Sequence, residues 1–311
     1  MSTVNHYGKV AVMFGGHSAE REVSLRSGQA VLDALLSRGV DAYKFDPAVR
    51  SVSELVAEKF DNVLIMLHGR GGEDGSLQGL LEQLQIPYTG SGVLGSALSM
   101  DKIRTKQIFS SVGLPTANYK IVEKSCFDAG SCEVIMQEFG GAIMVKPALE
   151  GSSIGMTKVT KSAQLLGAVQ HAFKYDNNVL LEQYIEGSEF TVSILDGKAL
   201  PSIRMSTPRD FYDYEAKYQA DSTQYFCPSG ASDELETQLA DYAERAFKAV
   251  GAGSWGRVDF MCDSAGQLYL LEVNTVPGMT AKSLVPMAAK QAGYSFADLV
   301  EKVLSGAGLN K

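Results

Sequence analysis

The first hundred residues repeat one unit: a short apolar run, a glycine-marked turn, then a longer stretch of helical texture. Val10–Phe14 is the first run, Gly15-Gly16 follows it, and a helical segment extends to Arg38, where Gly39 stops it. Ala42–Phe45 and Asn62–Leu67 read as the next two strands. The second leads into the loop His68-Gly69-Arg70-Gly71-Gly72-Glu73-Asp74-Gly75. Strand, helix, strand in this order predicts a parallel sheet with helices packed on it. Ligands of such sheets sit beyond the carboxyl ends of the strands, where Gly15-Gly16 and the His68–Gly75 loop both lie.

From about Asp101 the texture changes. A helix over Lys102–Ser111 ends before Gly113 and Pro115. Strands are expected at Tyr119–Val122, Ile143–Val145 and Gly155–Val159, with a helix at Ala163–Phe173. The last third opens with a strand at Glu189–Leu195. Residues 206–226 follow, rich in aromatic and charged side chains but without helical or strand period, as in an active-site lid or binding loop. Leu235, Leu239, Tyr242 and Ala246 mark an amphipathic helix. Strands Gly256–Cys262 and Leu268–Asn274 flank the turn Asp263-Ser264-Ala265-Gly266. The expected class is α/β, shading into α+β in the later parts, divided as 1–101, 102–187 and 188–311.

Composition narrows the function. The formal charge of -8 is spread along the chain, with no basic face of the kind nucleic-acid binding requires. Cys126, Cys132, Cys227 and Cys262 form no CxxC pair, which argues against a zinc site or disulfide frame. No stretch approaches the ~20 apolar residues of a membrane span, and Val10–Phe14 is too short for a signal segment. A cytoplasmic protein that acts without membrane or nucleic acid is expected.

The last hairpin carries the most chemistry. Alternation puts Arg257 and Asp259 on one face of the first strand, and Leu270, Glu272 and Asn274 on one face of the second. A turn centred on Ser264–Ala265 sets Arg257 near Glu272, with Asp259 diagonal to it. Diagonal neighbours are ~7–8 Å apart, within reach of one bridging cation. Two carboxylates and an amide oxygen are hard ligands of the kind Mg²⁺ accepts beside phosphates. A plain solvated face would not explain a polar cluster on two otherwise apolar strands. Two such carboxylates ~4 Å apart would repel by about 4 kcal/mol at an effective dielectric of ~20, so removing one should relieve the ligand-free protein.

The segment Lys146-Pro147-Ala148-Leu149-Glu150-Gly151-Ser152-Ser153-Ile154-Gly155 is neither a Walker loop nor GxGxxG. Its glycines and hydroxyls could still close backbone N–H groups around phosphate, with Lys146 adding charge. Beside a cation site it reads as a nucleotide loop. Ser18-Ala19-Glu20-Arg21-Glu22-Val23-Ser24 should open a helix. Glu20 could be a dipole partner of that helix or a carboxylate that holds a substrate ammonium; residue physics leaves both open.

The ordered blocks Ser18–Leu25, HGRGGEDG in Leu67–Gly75, YTGSGVLGSALSMDK in Tyr88–Lys102, and Lys146–Gly155 form a pattern. It continues with FYDYEAKYQADSTQYFCP in Phe211–Pro228, Gly256–Asp259, and LEVNTVPGMTAKSLVP in Leu271–Pro286. Over nearly its whole length the chain resembles the D-alanine–D-alanine ligases of the ATP-grasp class. The resemblance implies a three-part ATP-grasp fold with an N-terminal parallel-sheet domain, ATP as co-substrate and two molecules of D-alanine as substrates. It also implies two Mg²⁺ or Mn²⁺ ions per site, an acyl-phosphate intermediate and a homodimer.

By the same resemblance, Lys102, Lys146 and, from the lid, Lys217 contact ATP phosphates. Glu182-Gln183-Tyr184-Ile185 with Glu189 hold adenine and ribose. Asp259, Glu272 and Asn274 match the metal ligands, agreeing with the hairpin reading. Arg257 would stabilise the tetrahedral oxyanion. Glu20 would orient the first substrate's ammonium, linked to Ser152 and Tyr218. Ser283 and Leu284 would bind the second carboxylate, and His68 would line the pocket. Val276 stands where a small hydroxyl residue is common. Another ATP-grasp ligase, a depsipeptide ligase joining D-alanine to D-lactate, and a non-catalytic nucleotide-binding protein are the alternatives. Tyr218 argues against the second, and Arg257 beside a complete metal set argues against the third.

Overall fold

The computed structural model describes residues 7–206 and 223–311. The residues of the expected lid from 207 to 222, Lys217 and Tyr218 among them, lie outside that description. Strands β1 (Val10–Met13), β2 (Ala42–Phe45) and β3 (Asn62–Ile65) form a parallel sheet in the order β2-β1-β3, as expected. Every residue of β1 is buried, as suits a central parallel strand covered on both faces. Helices α1 (Arg21–Ser37), α2 (Glu54–Ala57), α3 (Ser76–Leu84) and α4 (Val93–Met100) complete this part.

Helix α5 (Lys102–Ser111) begins at Asp101, whose carboxylate accepts the N–H groups of Ile103 and Arg104. Strands β4 (Tyr119–Glu123), β5 (Ile143–Pro147), β6 (Thr157–Val159) and β7 (Asn178–Gln183) form an antiparallel sheet ordered β4-β7-β5-β6. Helices α6 (Cys132–Phe139) and α7 (Ser162–Ala172) cover it, with Ile135, Leu165 and Val169 in a shared core.

The six-stranded sheet comprises β8 (Gly187–Leu195), β9 (Lys198–Ala199), β10 (Ile203–Ser206), β11 (Gln224–Phe226), β12 (Trp255–Asp263) and β13 (Leu268–Asn274). Both ends of the aperiodic 206–226 stretch therefore belong to strands. Ser206 pairs with Gln224, so its last residues are ordered by cross-strand hydrogen bonds that no local period announces. Helix α8 (Asp233–Ala249) packs Leu239, Ala243 and Phe247 against this sheet. Helices α9 (Leu284–Gln291) and α10 (Phe296–Ser305) then return to the start of the chain. Val285, Ala289, Leu299, Val300 and Val303 share one core with Val10–Phe14, Val31 and Leu35. Among the described residues no helix is long and apolar enough to cross a membrane.

The turn after β1 is fixed from β2. Gly15 and Gly16 adopt φ of +99° and +71°, and a Cβ on Gly15 would stand 2.6 Å from the Asp46 carboxylate. Asp46 Oδ1 accepts the Gly16 N–H at 3.0 Å, and Arg21 bridges the Gly16 carbonyl at 2.7 Å and the Asp46 carboxylate at 2.8 Å. Burial opposes ionisation of Asp46. Arg21 and the amides of Gly16 and Ala48 outweigh it, holding the carboxyl down at about 2.

A depressed carboxyl stabilises the fold above the unfolded pKa of ~3.9 and loses that contribution as pH falls toward its folded value. In denaturant titrations Asp46→Asn is expected to lose about 2 kcal/mol at neutral pH, the gap to the parent closing as pH falls from ~4 to ~2. A gap independent of pH would show that this ion pair does not carry the effect.

Candidate active site

Two cavities adjoin where these elements meet. The first, about 420 Å³, is lined by Glu20, His68, Glu73, Arg257, Asn274, Ser283 and Leu284. The second, about 290 Å³, lies between the four-stranded and six-stranded sheets. Lys146, Glu182, Gln183, Tyr184, Ile185, Glu189 and Asp259 line it. Lys102, Gly151, Ser152 and Glu272 line both, so the two spaces share a wall.

Glu20 occupies the N-cap position of α1, yet its carboxylate makes no capping hydrogen bond. It is buried and accepts instead from the hydroxyl of Ser152. Ser152 and Ser153 hold φ of +50° and +60°, backbone seldom adopted by serine, which turns this loop toward Glu20. The Glu20 side chain thus lines the first cavity and leaves its own helix terminus uncapped.

The hairpin register differs from the expected one. Asp259 pairs directly with Glu272 and Arg257 with Asn274, because the ladder slips between Asp259 and Phe260. On β13 this leaves Leu271 as an extra residue, a bulge that changes the alternation. Leu270 therefore faces the core with Val273, while Leu271 and Glu272 line a cavity together. Leu270 does not share a face with Glu272 and Asn274, contrary to the simple period-two expectation.

Asp259 is buried at the centre of a hydrogen-bond cluster. It accepts from Arg257 Nε at 2.8 Å and its terminal nitrogen at 2.7 Å, from Thr191 Oγ1 at 2.6 Å, and from Asn274 Nδ2 at 2.9 Å. Lys102 Nζ lies 3.4 Å from Glu272 and donates to the Glu150 carbonyl at 2.6 Å. Each carboxylate thus has its own cation. The expected repulsion between Asp259 and Glu272 is compensated, and removing Glu272 would strip Lys102 of its counter-charge.

In the second cavity Glu182 pairs with both Lys146 and Lys106, and all three are buried. Burial would raise the Glu182 carboxyl, but the two ammonium groups outweigh it and lower it. Burial also works to lower Lys146, yet Glu182 and the charges of Glu272 and Glu189 raise it. Lys106 moves down, because burial and the neighbouring Lys146 prevail over its share of Glu182. The two ammonium groups share one counter-charge, and they do not share it equally. Lys158 sits 3.7 Å above the Tyr184 ring at the rim.

On the other side of the shared wall, burial lowers the His68 imidazole below its usual range and keeps it neutral. Nδ1–H then donates to the Val276 carbonyl at 2.8 Å. Burial, with the charge of Glu20 adding to it, pushes Glu73 up to about 8. Ser283 precedes α9 with extended backbone, and its hydroxyl accepts the Thr280 N–H at 3.0 Å. The first N–H groups of α9, beginning with that of Leu284, have no intrahelical partner and suit a carboxylate.

A family model described as the D-ala D-ala ligase C-terminus matches residues 108–305, and one for the D-ala D-ala ligase N-terminus matches 40–91. The chain is 66% identical over 305 residues to the D-alanine–D-alanine ligase of Pseudoalteromonas atlantica, covering 98% of this chain and 96% of that protein. The chain belongs to the D-alanine–D-alanine ligase family. Among solved structures, the Bacillus anthracis D-alanine–D-alanine ligase superposes with a TM-score of 0.85 at 33% identity, covering 96% of this chain and 97% of that one. The same enzyme complexed with ATP gives 0.83 at 30% identity, with the same coverage. The fold is the ATP-grasp fold of these ligases, with a parallel N-terminal sheet.

Within this ligase cleft, every expected site residue that is described lines one cavity or both. Sequence reasoning overlooked Lys106, Glu73 and Thr191. Lys106 was within reach, four residues after Lys102 and so on the same face of α5. Thr191 meets Asp259 only through strand pairing with β8, which no local pattern announces.

Asp259, Glu272 and Asn274 present oxygen donors of the kind a hard divalent cation takes. Among the described residues no three His, Cys, Asp or Glu side chains gather as a metal site. A divalent cation held by these three side chains would complete its coordination with substrate phosphates. Removing Glu182 is expected to expose the cost of the buried lysines: Glu182→Gln should lose about 3 kcal/mol in denaturant unfolding. Adding Lys106→Met should recover part of that loss, because it removes one of the two ammonium groups left without a counter-charge. No recovery would mean that Glu182 stabilises the ligase fold by other contacts.

Proposed function

We propose that this chain joins two D-alanine molecules into D-alanyl-D-alanine at the expense of ATP, releasing ADP and phosphate for peptidoglycan precursor synthesis in the cytoplasm. The observation that carries the reading is the shared wall of the two cavities. A nucleotide in the second would abut an amino acid in the first at Lys102, Ser152 and Glu272.

In the first step a carboxylate oxygen of one D-alanine attacks the γ-phosphorus of ATP. The bond to the β–γ bridging oxygen breaks, leaving ADP and an acyl phosphate. The deprotonated amine of the second D-alanine then attacks the acyl carbon. A tetrahedral oxyanion forms and collapses as the C–O bond to phosphate breaks, the attacking nitrogen giving up one proton to the departing phosphate. Both steps concentrate negative charge, which preorganised cations stabilise most in a dry site. Lys102, Lys146 and Lys217 serve the phosphates, and Arg257 serves the oxyanion. Glu182, Gln183, Tyr184, Ile185 and Glu189 hold adenine and ribose.

Glu20, with Ser152 and Tyr218, orients the first ammonium. Ser283 and Leu284 receive the second carboxylate, and His68 lines their pocket. Mg²⁺ or Mn²⁺, two ions per site, would be held by Asp259, Glu272 and Asn274 and would neutralise phosphate charge. Segments 1–101, 102–187 and 188–311 are the three parts of this machine, with 206–226 as lid, and the active form is a homodimer.

Phosphate release from ATP is expected with D-alanine and not with L-alanine, and D-lactate added to D-alanine should give no ester product. Equal release with both alanine enantiomers would overturn the reading. Glu20→Gln is expected to raise the KM for the first D-alanine at least about ten-fold, the scale of a lost charge-assisted hydrogen bond, with the ATP KM unchanged.

A further inference from the structure

Glu73 lines the first cavity, and no step above uses it. Its two carboxyl oxygens serve two different loops. Oε2 accepts the N–H of Gly69 at 2.6 Å in its own loop, and Oε1 accepts the N–H of Val276 at 3.2 Å across the cleft. The carbonyl of Val276 in turn accepts Nδ1–H of His68 at 2.8 Å. Both polar backbone groups of one residue are thus held by side chains from a single opposing loop. Helix α1 adds a grip just beyond, where Ser27 Oγ accepts the Met279 N–H at 3.1 Å and lies 3.4 Å from His68 Nε2.

Val276 stands between Asn274, at the end of β13, and Ser283, at the start of α9. Its side chain is buried in the core that also holds Val10–Phe14, so its contacts to Glu73 and His68 run through backbone alone. The valine side chain takes no part in those two hydrogen bonds. Holding Val276 sets the direction in which the chain leaves the sheet, and with it the distance from Ser283 and Leu284 to Glu20.

We propose that Glu73 is a positioning residue for the second D-alanine: together with His68 it clasps Val276 and holds the loop that carries Ser283 and Leu284 in register with the first substrate. This rests on the ligase reading of Ser283 and Leu284. Each of the two N–H groups requires an acceptor oxygen, and burying either without one is costly.

An amide supplies one acceptor oxygen, and its NH₂ cannot accept, so Glu73→Gln sets a donor against a donor. The full-length enzyme is assayed with ATP and D-alanine, the two D-alanine Michaelis constants being resolved by fitting ADP release over a wide concentration range. Glu73→Gln is expected to raise the KM for the second D-alanine at least about ten-fold, with the ATP constant and that for the first D-alanine within about two-fold of the parent. Its kcat at saturating D-alanine should fall less than the second KM rises. Glu73→Asp keeps both oxygens on a shorter stem and should give a smaller shift in the same constant, a readout that survives if the glutamine variant does not fold. An unchanged second KM in a folded variant overturns the inference, as does a rise of all three constants together or a loss confined to kcat. A parent enzyme without D-alanine-dependent ADP release overturns the ligase reading and the inference with it; an active parent beside an unaffected variant overturns the inference alone.

Discussion

The buried carboxylate of Asp259 ties three strands together. Arg257 on its own strand, Thr191 on β8 and Asn274 on β13 all donate to it, so the β8-β12-β13 side of the six-stranded sheet is joined by side chains as well as by its backbone ladder. Losing one donor would leave a buried charge poorly satisfied, a costly state in a low-dielectric setting. The same cluster sets where Arg257 ends, at the edge of the first cavity, and where Glu272 ends, on the wall between the two. Structural and chemical demands coincide on this face.

Charge in the cleft is balanced locally. Lys102 faces Glu272, Arg257 faces Asp259, and Lys106 and Lys146 share Glu182. Of these three groups the last carries more positive than negative charge, and its Lys146 lies where the ligase reading puts the nucleotide's phosphates. An anion entering that cavity would meet an ammonium already desolvated, so less hydration need be stripped on binding.

Much of this was legible in the chain itself. The parallel strands announced themselves through apolar runs and glycine stops, and the last hairpin through its turn. Their register did not, because a single bulged residue, Leu271, moves one flank of the ladder by one position and reverses the face of everything beyond it. Lys106 lay within reach of helical spacing, four residues from Lys102. Glu73 and Thr191 did not, since each acquires its partner from more than sixty residues away. The direction of the Glu20 side chain turned on a rotamer choice between helix cap and pocket, which depends on the Ser152 backbone and so on a distant loop.

The return of α9 and α10 to the core of the first sheet has a consequence for biosynthesis. Val10–Phe14 and Val31 leave the ribosome well before Leu299, Val300, Val303 and Leu304, with which they share one core. Until they arrive, the nascent chain holds a sheet-and-helix layer with one apolar face open to water, although everything between has already been translated. Domains whose halves lie together in sequence close as they are made, but this one waits for α10. A message truncated before α10 would therefore yield a polypeptide whose damage falls in the early layer that bears Glu20.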